Sequence, residues 1–318
     1  MTRHLHTAVH EPLLGTRVAI GVRARTVAAA ETAEAAAVAE FVRLEAILSA
    51  YRPTSEWCLW RAGDHEHAGP EVTEVLTLAA HWHALGRGAF NPVAGVLRAR
   101  WLRAADLGVP PSRDEMAALA ASIAELPFTL QNGAIVRTGD CSLLDLHAIA
   151  KGWIVDRAAA HAFAVDGVTE VLVNAGGDLL HRGGEPITVG IEDPRRPFDN
   201  VPPLTRVTLA DGGLASSSGA RRPLRVGTAV FSHVLDPRTG WPVEHTLAAT
   251  TIAPDAATAD VATTVVGVLA VGEALAFADA TDGLACHLLD CCGGQHSSRR
   301  WPRFGAPDGS ERPQASAR

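Results

Sequence analysis

Positive charge and long apolar runs are both scarce in this sequence. Its 28 lysine and arginine residues are outnumbered by 35 aspartates and glutamates, which leaves a net charge of −7 at pH 7. A chain with this charge lacks the basic surface that is typical of nucleic-acid binding. No apolar run approaches the ~20 residues of a transmembrane helix, and residues 1–15 contain no apolar signal-peptide core. These absences predict a cytoplasmic protein that binds no nucleic acid and has no membrane segment.

Metal-binding cysteine pairs and the common nucleotide-binding motifs are missing as well. The five cysteines form no CxxC pair, and the adjacent Cys291 and Cys292 lack the spacing of a zinc site. An odd number of cysteines without a targeting segment is typical of a reducing compartment. No GxGxxG follows a predicted strand and no GxxxxGK[ST] occurs, so the usual dinucleotide and P-loop sites are excluded.

The apolar pattern predicts an α+β fold. Hydrophobic residues make up 47% of the chain, which is enough for a large core. Helices that cluster apart from strands favour α+β over a doubly wound sheet. We predict a folded domain over residues 13–292, a flexible tail over residues 1–12, and a disordered tail over residues 293–318, where Pro, Ser and Arg are frequent.

The only lysine marks the segment on which the rest of the interpretation depends. Lys151 lies in LLDLHAIAKGWIVD, residues 143–156, where an apolar run passes into a helical pattern. A chain that otherwise uses arginine has a compact ammonium here. The glycine that follows, Gly152, would let the backbone pass close to a ligand. A surface lysine on an ordinary helix explains the spacing equally well, so both interpretations stay open on spacing alone.

Two further motifs carry candidate ligands. Asp260 and Thr264 are four residues apart on a predicted helix and therefore share one face. A carboxylate and a hydroxyl are hard oxygen ligands that suit Mg²⁺, although an aspartate near a helix start is also favoured by the helix dipole. The NAGGD segment, residues 174–178, could present backbone N–H groups to a phosphate or a ring, or it could simply form a tight turn.

Taken together, eight segments resemble the ApbE family of FAD:protein FMN transferases in their order and spacing. In chain order they are LGT (14–16), LSAYRPTSE (48–56), GAFNP (88–92), LDLHAIAKGWIVD (144–156), NAGGD (174–178), SSSG (216–219), SHVLDPRTG (232–240) and ADVATT (259–264). Each segment is weak evidence alone, whereas all eight in one order are specific.

The resemblance implies a fold and a set of site residues. The fold would be α+β, with two similar halves and FAD bound between them. Mg²⁺ would be held by the backbone carbonyl of Ala148 and by the side chains of Asp260 and Thr264. His233 matches the position of the general base. The residues implied to contact FAD are Leu14, Tyr51, Ala89, Phe90, Asn91, Asp145, Lys151, Asp178 and Val234.

The implied reaction is a Mg²⁺-dependent transfer of FMN from FAD to a Thr or Ser hydroxyl of an acceptor flavoprotein, with release of AMP. Lys151 and the metal would offset charge on the phosphate oxygens, and His233 would take the hydroxyl proton. Two alternatives remain at this point. One is hydrolysis of FAD to FMN and AMP at the same site, and the other is FAD binding without transfer.

The chain departs from the family pattern at several positions, among them Leu14, where the family usually has methionine, and Ala220 and Arg221, where it usually has an aspartate and an aromatic residue after SSSG. Arg61 stands where the family usually has asparagine, and Asn91 where it usually has aspartate. His147 replaces a glycine, and Ser232 replaces the first of a histidine pair. These departures leave the acceptor and the balance between transfer and hydrolysis open.

Overall fold

The computed structural model of the protein describes residues 3–196, 200–218, 223–305 and 315–316. Within these ranges the α-helices are α1 Val27–Leu48, α2 Glu56–Ala62, α3 Pro70–Leu85, α4 Gly95–Leu107, α5 Arg113–Ser122, α6 His147–Phe163, α7 Ala256–Val268 and α8 Val271–Ala280. The strands are β1 His4–Leu13, β2 Thr16–Ala24, β3 Phe128–Gln131, β4 Ala134–Arg137, β5 Val168–Ala175, β6 Asp178–Gly183, β7 Ile187–Ile191, β8 Thr205–Leu209, β9 Gly212–Ser218, β10 Leu224–Val226, β11 Ala229–Phe231, β12 Leu235–Asp236, β13 Trp241–Pro242, β14 Thr246–Ala253, β15 Ala285–Asp290, β16 Gln295–Ser297 and β17 Ala315–Ser316. A short 3-10 helix covers Trp301–Phe304. None of the described helices is long and apolar enough to cross a membrane.

Eight of these strands form one antiparallel sheet at the centre of the fold. Their spatial order is β1-β2-β5-β6-β9-β14-β15-β16, and every neighbouring pair is antiparallel. Helices α1, α6 and α7 pack side by side against one face of the sheet. Strands β7 and β8 cover part of the opposite face through a second, smaller apolar core. This arrangement of helices on an antiparallel sheet confirms the predicted α+β class.

Two acidic side chains fix the start of α7, the helix that carries the predicted metal ligands. Asp255 precedes the helix, and its carboxylate caps the first turn. Asp156 on α6 accepts hydrogen bonds from the N–H groups of Ala256 and Ala257 at 2.8 and 2.9 Å. These bonds satisfy N–H groups that a helix start leaves without partners. Because Asp156 belongs to α6, the contact also sets the position of Asp260 relative to that helix.

The prediction of a flexible tail over residues 1–12 is wrong for the residues that the structure describes there. His4–Leu13 forms β1, which pairs with β2 at the edge of the large sheet, with His4 opposite Ala24. His10 Nε2 lies 2.7 Å from Oε1 of Glu34 on α1. The histidines make this segment polar, which suggests a tail. The local pattern does not reveal that Glu34 on α1 is a carboxylate partner for one of them. Residues 1 and 2 lie outside the described ranges.

The prediction of a disordered tail from residue 293 is also wrong for residues 293–305. Strand β16 pairs with β15, and Ser298 Oγ accepts a hydrogen bond from the Cys286 N–H at 2.9 Å. The buried Trp301 stacks on the ring of His287 with a centroid distance of 5.1 Å. The polar composition of this segment does not reveal that one of its side chains, Trp301, is buried. Residues 306–314 and 317–318 lie outside the described ranges, and β17 pairs with β7.

We expect Trp301→Ala to lower the free energy of unfolding by about 3–5 kcal/mol, because it removes a buried indole from the smaller core. Chemical denaturation followed by circular dichroism measures this change. The matched control is Arg303→Ala, an exposed position in the same 3-10 helix, where we expect a change below about 0.5 kcal/mol. Equal stabilities of the two variants would show that Trp301 does not anchor the segment.

Candidate active site

The lone lysine forms a cluster with two aspartates from other parts of the chain. Lys151 on α6 places its Nζ 2.8 Å from Oδ2 of Asp178, the first residue of β6. Asp260 on α7 lies close enough to interact electrostatically with both groups. Lys151 is half-buried and ion-paired, so it is not the unpaired surface lysine that its spacing also allowed.

Burial and charge shift the titration of all three groups. Burial raises the pKa of Asp178, and the positive charge of Lys151 opposes that rise. Burial and the neighbouring Asp178 carboxylate raise the pKa of Asp260 well above its ordinary value. Burial alone would lower the pKa of Lys151, but the two carboxylates outweigh burial and raise that pKa. One ammonium therefore does not offset two adjacent carboxylates, and the cluster favours an additional cation.

The NAGGD segment is a two-residue hairpin turn that positions Asp178. Gly176 and Gly177 connect β5 to β6 with φ values of 61° and 106°, and Ala175 pairs with Asp178 across the turn. A hairpin turn with two consecutive positive φ values strongly favours glycine. Asn174 Oδ1 accepts a hydrogen bond from the Gly177 N–H at 3.0 Å. The motif is therefore the tight turn that the sequence allowed, and this turn brings Asp178 into the cluster.

Gly152 has a different role from the one predicted. A Cβ atom at this position would lie 2.4 Å from the carbonyl oxygen of Ala256, so glycine is required where α6 packs on α7. The close approach lets the Gly152 N–H donate to Asp260 Oδ2 at 3.2 Å. In an α-helix the same N–H faces the carbonyl four residues earlier, which here belongs to Ala148. The helix contact therefore brings the Ala148 carbonyl and the Asp260 carboxylate to one place.

Two adjoining cavities contain most of the other predicted ligands. The first, which we call the central cleft, has a volume of about 170 Å³. The second, which we call the inner cavity, has a volume of about 230 Å³ and includes Val234 in its lining. His233 and Thr264 line both cavities, so His233 lies at the junction between them. The predicted residues that line the central cleft are Ala89, Phe90, Asn91, Asp145, Ala148, His233 and Thr264.

The chemistry of the predicted donor set suits Mg²⁺, although only Thr264 and Ala148 line the central cleft and Asp260 lies outside the lining of both cavities. Within the described ranges, no group of three or more His, Cys, Asp and Glu side chains could hold a metal ion. The predicted set is of another kind, because it combines one carboxylate, from Asp260, with the Thr264 hydroxyl and the Ala148 carbonyl. Mg²⁺ prefers such hard oxygen ligands and keeps water or phosphate oxygens at its remaining positions. The excess negative charge of the neighbouring cluster also suits a divalent cation.

Leu14 and Tyr51 lie outside the lining of these two cavities. Leu14 occupies the turn between β1 and β2 with a φ of 52°. Tyr51 is 84% exposed, and its ring centroid is 5.7 Å from that of His147, which lines the central cleft. A ring held beside a cleft in this way is available to stack on a planar ligand.

Two departures from the family pattern have local explanations. Asn91 Nδ2 donates to the Ile123 carbonyl at 2.8 Å, and Asn91 Oδ1 accepts from the Val93 N–H at 2.8 Å. An ionised aspartate could not donate to that carbonyl, so the asparagine suits this backbone. Ser232 Oγ accepts from the Val234 N–H at 3.1 Å and thereby braces the backbone on both sides of the intervening histidine.

A third departure, His147, is paired with Asp145 at the edge of the central cleft. The imidazole Nδ1 hydrogen-bonds with Asp145 Oδ1, which also accepts the His147 backbone N–H at 2.8 Å. The bond to Asp145 raises the pKa of His147 although burial opposes the rise. Burial alone would raise the pKa of Asp145, but the contacts with His147 hold it below its ordinary value. Asp145 and His147 offset each other's charge, so Asp145 does not neutralise the charges of the nearby Arg61 and Arg98.

Sequence reasoning missed Arg98, which lines the central cleft from the first turn of α4. No motif in the sequence marks this residue.

The SSSG segment is described only as far as Ser218, since Gly219 lies outside the described residues. Within that segment Ser216 Oγ is 2.9 Å from Thr250 Oγ1 on the neighbouring strand.

Comparison with known proteins defines the family. The model of the ApbE family matches residues 14–288, and this chain therefore belongs to the ApbE family. The chain is 27% identical over 216 residues to a protein of Vibrio cholerae named FAD:protein FMN transferase, covering 64% of this chain and 63% of that protein. It is 27% identical over 276 residues to the protein of the same name from Escherichia coli K12, covering 81% and 76%. The match to the Haemophilus influenzae protein of that name is 32% identical over 151 residues but spans only 43% of its length.

Solved structures agree with the fold. The ApbE protein from Thermotoga maritima superposes with a TM-score of 0.79 at 24% identity, covering 96% of this chain and 100% of that one. The flavinyl transferase ApbE from Pseudomonas stutzeri, in its apo form, gives a TM-score of 0.78 at 23% identity and covers 96% and 99%. These similarities confirm the ApbE-like fold that the sequence predicted.

Proposed function

We propose that this protein is a Mg²⁺-dependent FAD:protein FMN transferase, which moves FMN from FAD to a Thr or Ser hydroxyl of an acceptor flavoprotein and releases AMP. The observation that carries the proposal is the Lys151–Asp178–Asp260 cluster. Its Lys151 and Asp260 lie about one helical turn from Ala148 on α6 and Thr264 on α7, which line the central cleft together with His233. The name of the Vibrio cholerae and Escherichia coli relatives, FAD:protein FMN transferase, supports the same activity.

The proposed metal ligands are the carboxylate of Asp260, the hydroxyl of Thr264 and the backbone carbonyl of Ala148. When bound, Mg²⁺ would draw charge from the pyrophosphate oxygens of FAD. Lys151 supplies a second fixed positive charge next to the same position, held there by its ion pair with Asp178. Preorganised charges of this kind act most strongly where water is excluded.

In the proposed reaction, the acceptor hydroxyl oxygen attacks the FMN phosphorus. The bond from that phosphorus to the bridging oxygen breaks, and AMP leaves with the bridging oxygen. His233 lines both cavities and is proposed to take the hydroxyl proton, a contribution typically of ~10²–10⁴-fold. The remaining proposed FAD contacts are Leu14, Tyr51, Ala89, Phe90, Asn91, Asp145 and Val234.

The test is incubation with FAD, Mg²⁺ and a candidate acceptor protein, followed by intact mass spectrometry of the acceptor. A covalent FMN adduct together with free AMP supports transfer. Release of FMN and AMP with an unmodified acceptor would instead indicate hydrolysis. Bound FAD without any AMP would indicate a flavin-binding protein.

We expect Lys151→Ala to weaken FAD binding or turnover by about tenfold or more, because hydrogen bonds to charged groups contribute roughly 1.5–3 kcal/mol. Lys151→Arg should restore only part of the loss, since a planar guanidinium does not replace a compact ammonium. Fluorescence titration gives the FAD affinity, and AMP release gives the turnover. Unchanged values in both variants would contradict a phosphate contact.

A further inference from the structure

A second depression, which we call the arginine pocket, adjoins the central cleft. It has a volume of about 230 Å³, and its lining includes Arg61 at the end of α2 and Arg98 on α4. Gly95, Arg98, Asp145 and His147 line both the arginine pocket and the central cleft. The two spaces therefore share a wall that includes Arg98, and Arg61 lines the arginine pocket beyond it.

Arg61 is held in the wall of this pocket by three contacts, one of which is a long hydrogen bond from its Nη2 to Cys58 Sγ at 3.9 Å. Its Nη1 donates to the Leu144 carbonyl at 3.1 Å, and its guanidinium carbon lies 5.7 Å from the ring centroid of the buried Trp57. A guanidinium has five N–H donors, so one hydrogen bond to a backbone oxygen leaves most of them available. The contacts orient the group without neutralising its charge.

Arg98 carries a positive charge that its surroundings do not match. It lies in the first turn of α4, where a cation opposes the helix dipole, so helix stability does not explain its presence. Arg100 on the same helix is paired with Glu115, whereas Arg98 forms no ion pair among the residues that the structure describes. Asp145 is close enough to interact with Arg98, but its Oδ1 already bonds to His147.

We propose that Arg61 and Arg98 form an anion subsite that binds the phosphate monoester of a mononucleotide at the end of the central cleft. Guanidinium groups match phosphate oxygens through paired hydrogen bonds, and two of them line one small pocket here. A neutral nucleoside has no group that would gain from these charges. The inference rests on the proposed function and deepens it, because cleavage of the FAD pyrophosphate releases AMP, whose phosphate is then a monoester, and free FMN carries one as well.

The test is isothermal titration of the full chain, without added metal, with AMP, FMN, adenosine and inorganic phosphate. We expect AMP or FMN to bind more tightly than adenosine. Arg98→Gln and Arg61→Ala should each weaken that binding about tenfold or more, as expected for loss of a charged hydrogen bond. The control is Arg103→Ala, an exposed arginine on the same helix, which should bind like the unmodified chain.

The arms of this experiment separate the sources of the phosphate. A stronger effect of Arg98→Gln on AMP than on FMN, or the reverse, identifies which of the two mononucleotides the arginine pocket binds. Inorganic phosphate that binds as tightly as both mononucleotides, with the same dependence on the arginines, identifies a site for free phosphate. Binding of AMP and FMN that is unchanged in both arginine variants, or equalled by adenosine, overturns the subsite.

The outcome is independent of the transfer assay. Binding of a mononucleotide needs no acceptor and no turnover, so an absent FMN adduct leaves the subsite intact. Conversely, mononucleotide binding that does not depend on Arg61 and Arg98 would overturn the subsite without contradicting the proposed FMN transfer. Thermal unfolding of each variant shows whether it is folded, and Arg98→Gln keeps the test valid if Arg61→Ala unfolds, because Arg98 is exposed.

Discussion

Replacing Asp260 by alanine or asparagine is expected to reduce Mg²⁺-dependent FAD turnover by about 10²–10³-fold or more, the loss that removal of one electrostatic group in an active site causes. Asparagine is the sharper substitution because it keeps the size of the side chain and an oxygen that can accept the Gly152 N–H. It removes only the negative charge that the proposed metal site requires. AMP release at several Mg²⁺ concentrations measures the effect, and the exposed Asp166→Asn is the matched control.

The stability of the Asp260→Asn variant distinguishes a metal ligand from a structural carboxylate. Folding raises the pKa of Asp260, first through burial and then through Asp178. A carboxyl with a raised pKa destabilises the fold increasingly as the pH rises above its unfolded pKa near ~3.9. At neutral pH in the absence of metal, the variant should therefore be at least as stable as the unmodified chain. A large fall in Tm together with lost activity would indicate a structural role, and activity that survives both the substitution and EDTA would exclude the metal role.

The parts of this site that depend on local spacing were predictable from the sequence. The helical pattern predicted within residues 143–156 belongs to α6, His147–Phe163, and Asp260 and Thr264 both lie on α7. Such features follow from helical periodicity over a few residues. The family motifs extended this local reasoning to the rest of the cleft.

The parts that depend on packing between distant segments were not predictable. The contact of Lys151 with Asp178 exists because α6 packs against the sheet that contains β6. The glycine beside that lysine suggested a nearby ligand, whereas its actual neighbour is the Ala256 carbonyl of another helix. Trp301 shows the same limit, since a polar segment gives no sign that one side chain has a buried partner. Local patterns specify elements, but they do not specify which elements meet.

The second large effect is expected at His233. We expect His233→Ala to keep the affinities for FAD and Mg²⁺ but to lower FMN transfer by about 10²–10⁴-fold, the range for a general base. The reason is its position at the junction of the central cleft and the inner cavity, next to Thr264. The measurement is the rate of adduct formation on the acceptor, with the exposed His65→Ala as control.

The pH dependence of transfer provides an independent readout of the same role. Only the neutral form of an imidazole can accept a proton. Transfer by the unmodified protein should therefore rise with pH as His233 loses its proton, and the His233→Ala variant should lack that rise. A variant that loses FAD affinity in parallel with transfer would show instead that His233 braces the turn that precedes Asp236.

In that case Asp236 would be the next candidate for the base, but its contacts make it a weaker one. Arg238 donates from Nε and Nη2 to the two oxygens of Asp236 at 2.9 and 2.8 Å. Accepting a proton there would disrupt this bidentate, charge-assisted pair. Asp236→Asn should therefore alter transfer less than His233→Ala if His233 is the base. The opposite ranking, with FAD affinity intact in both variants, would assign the proton transfer to Asp236.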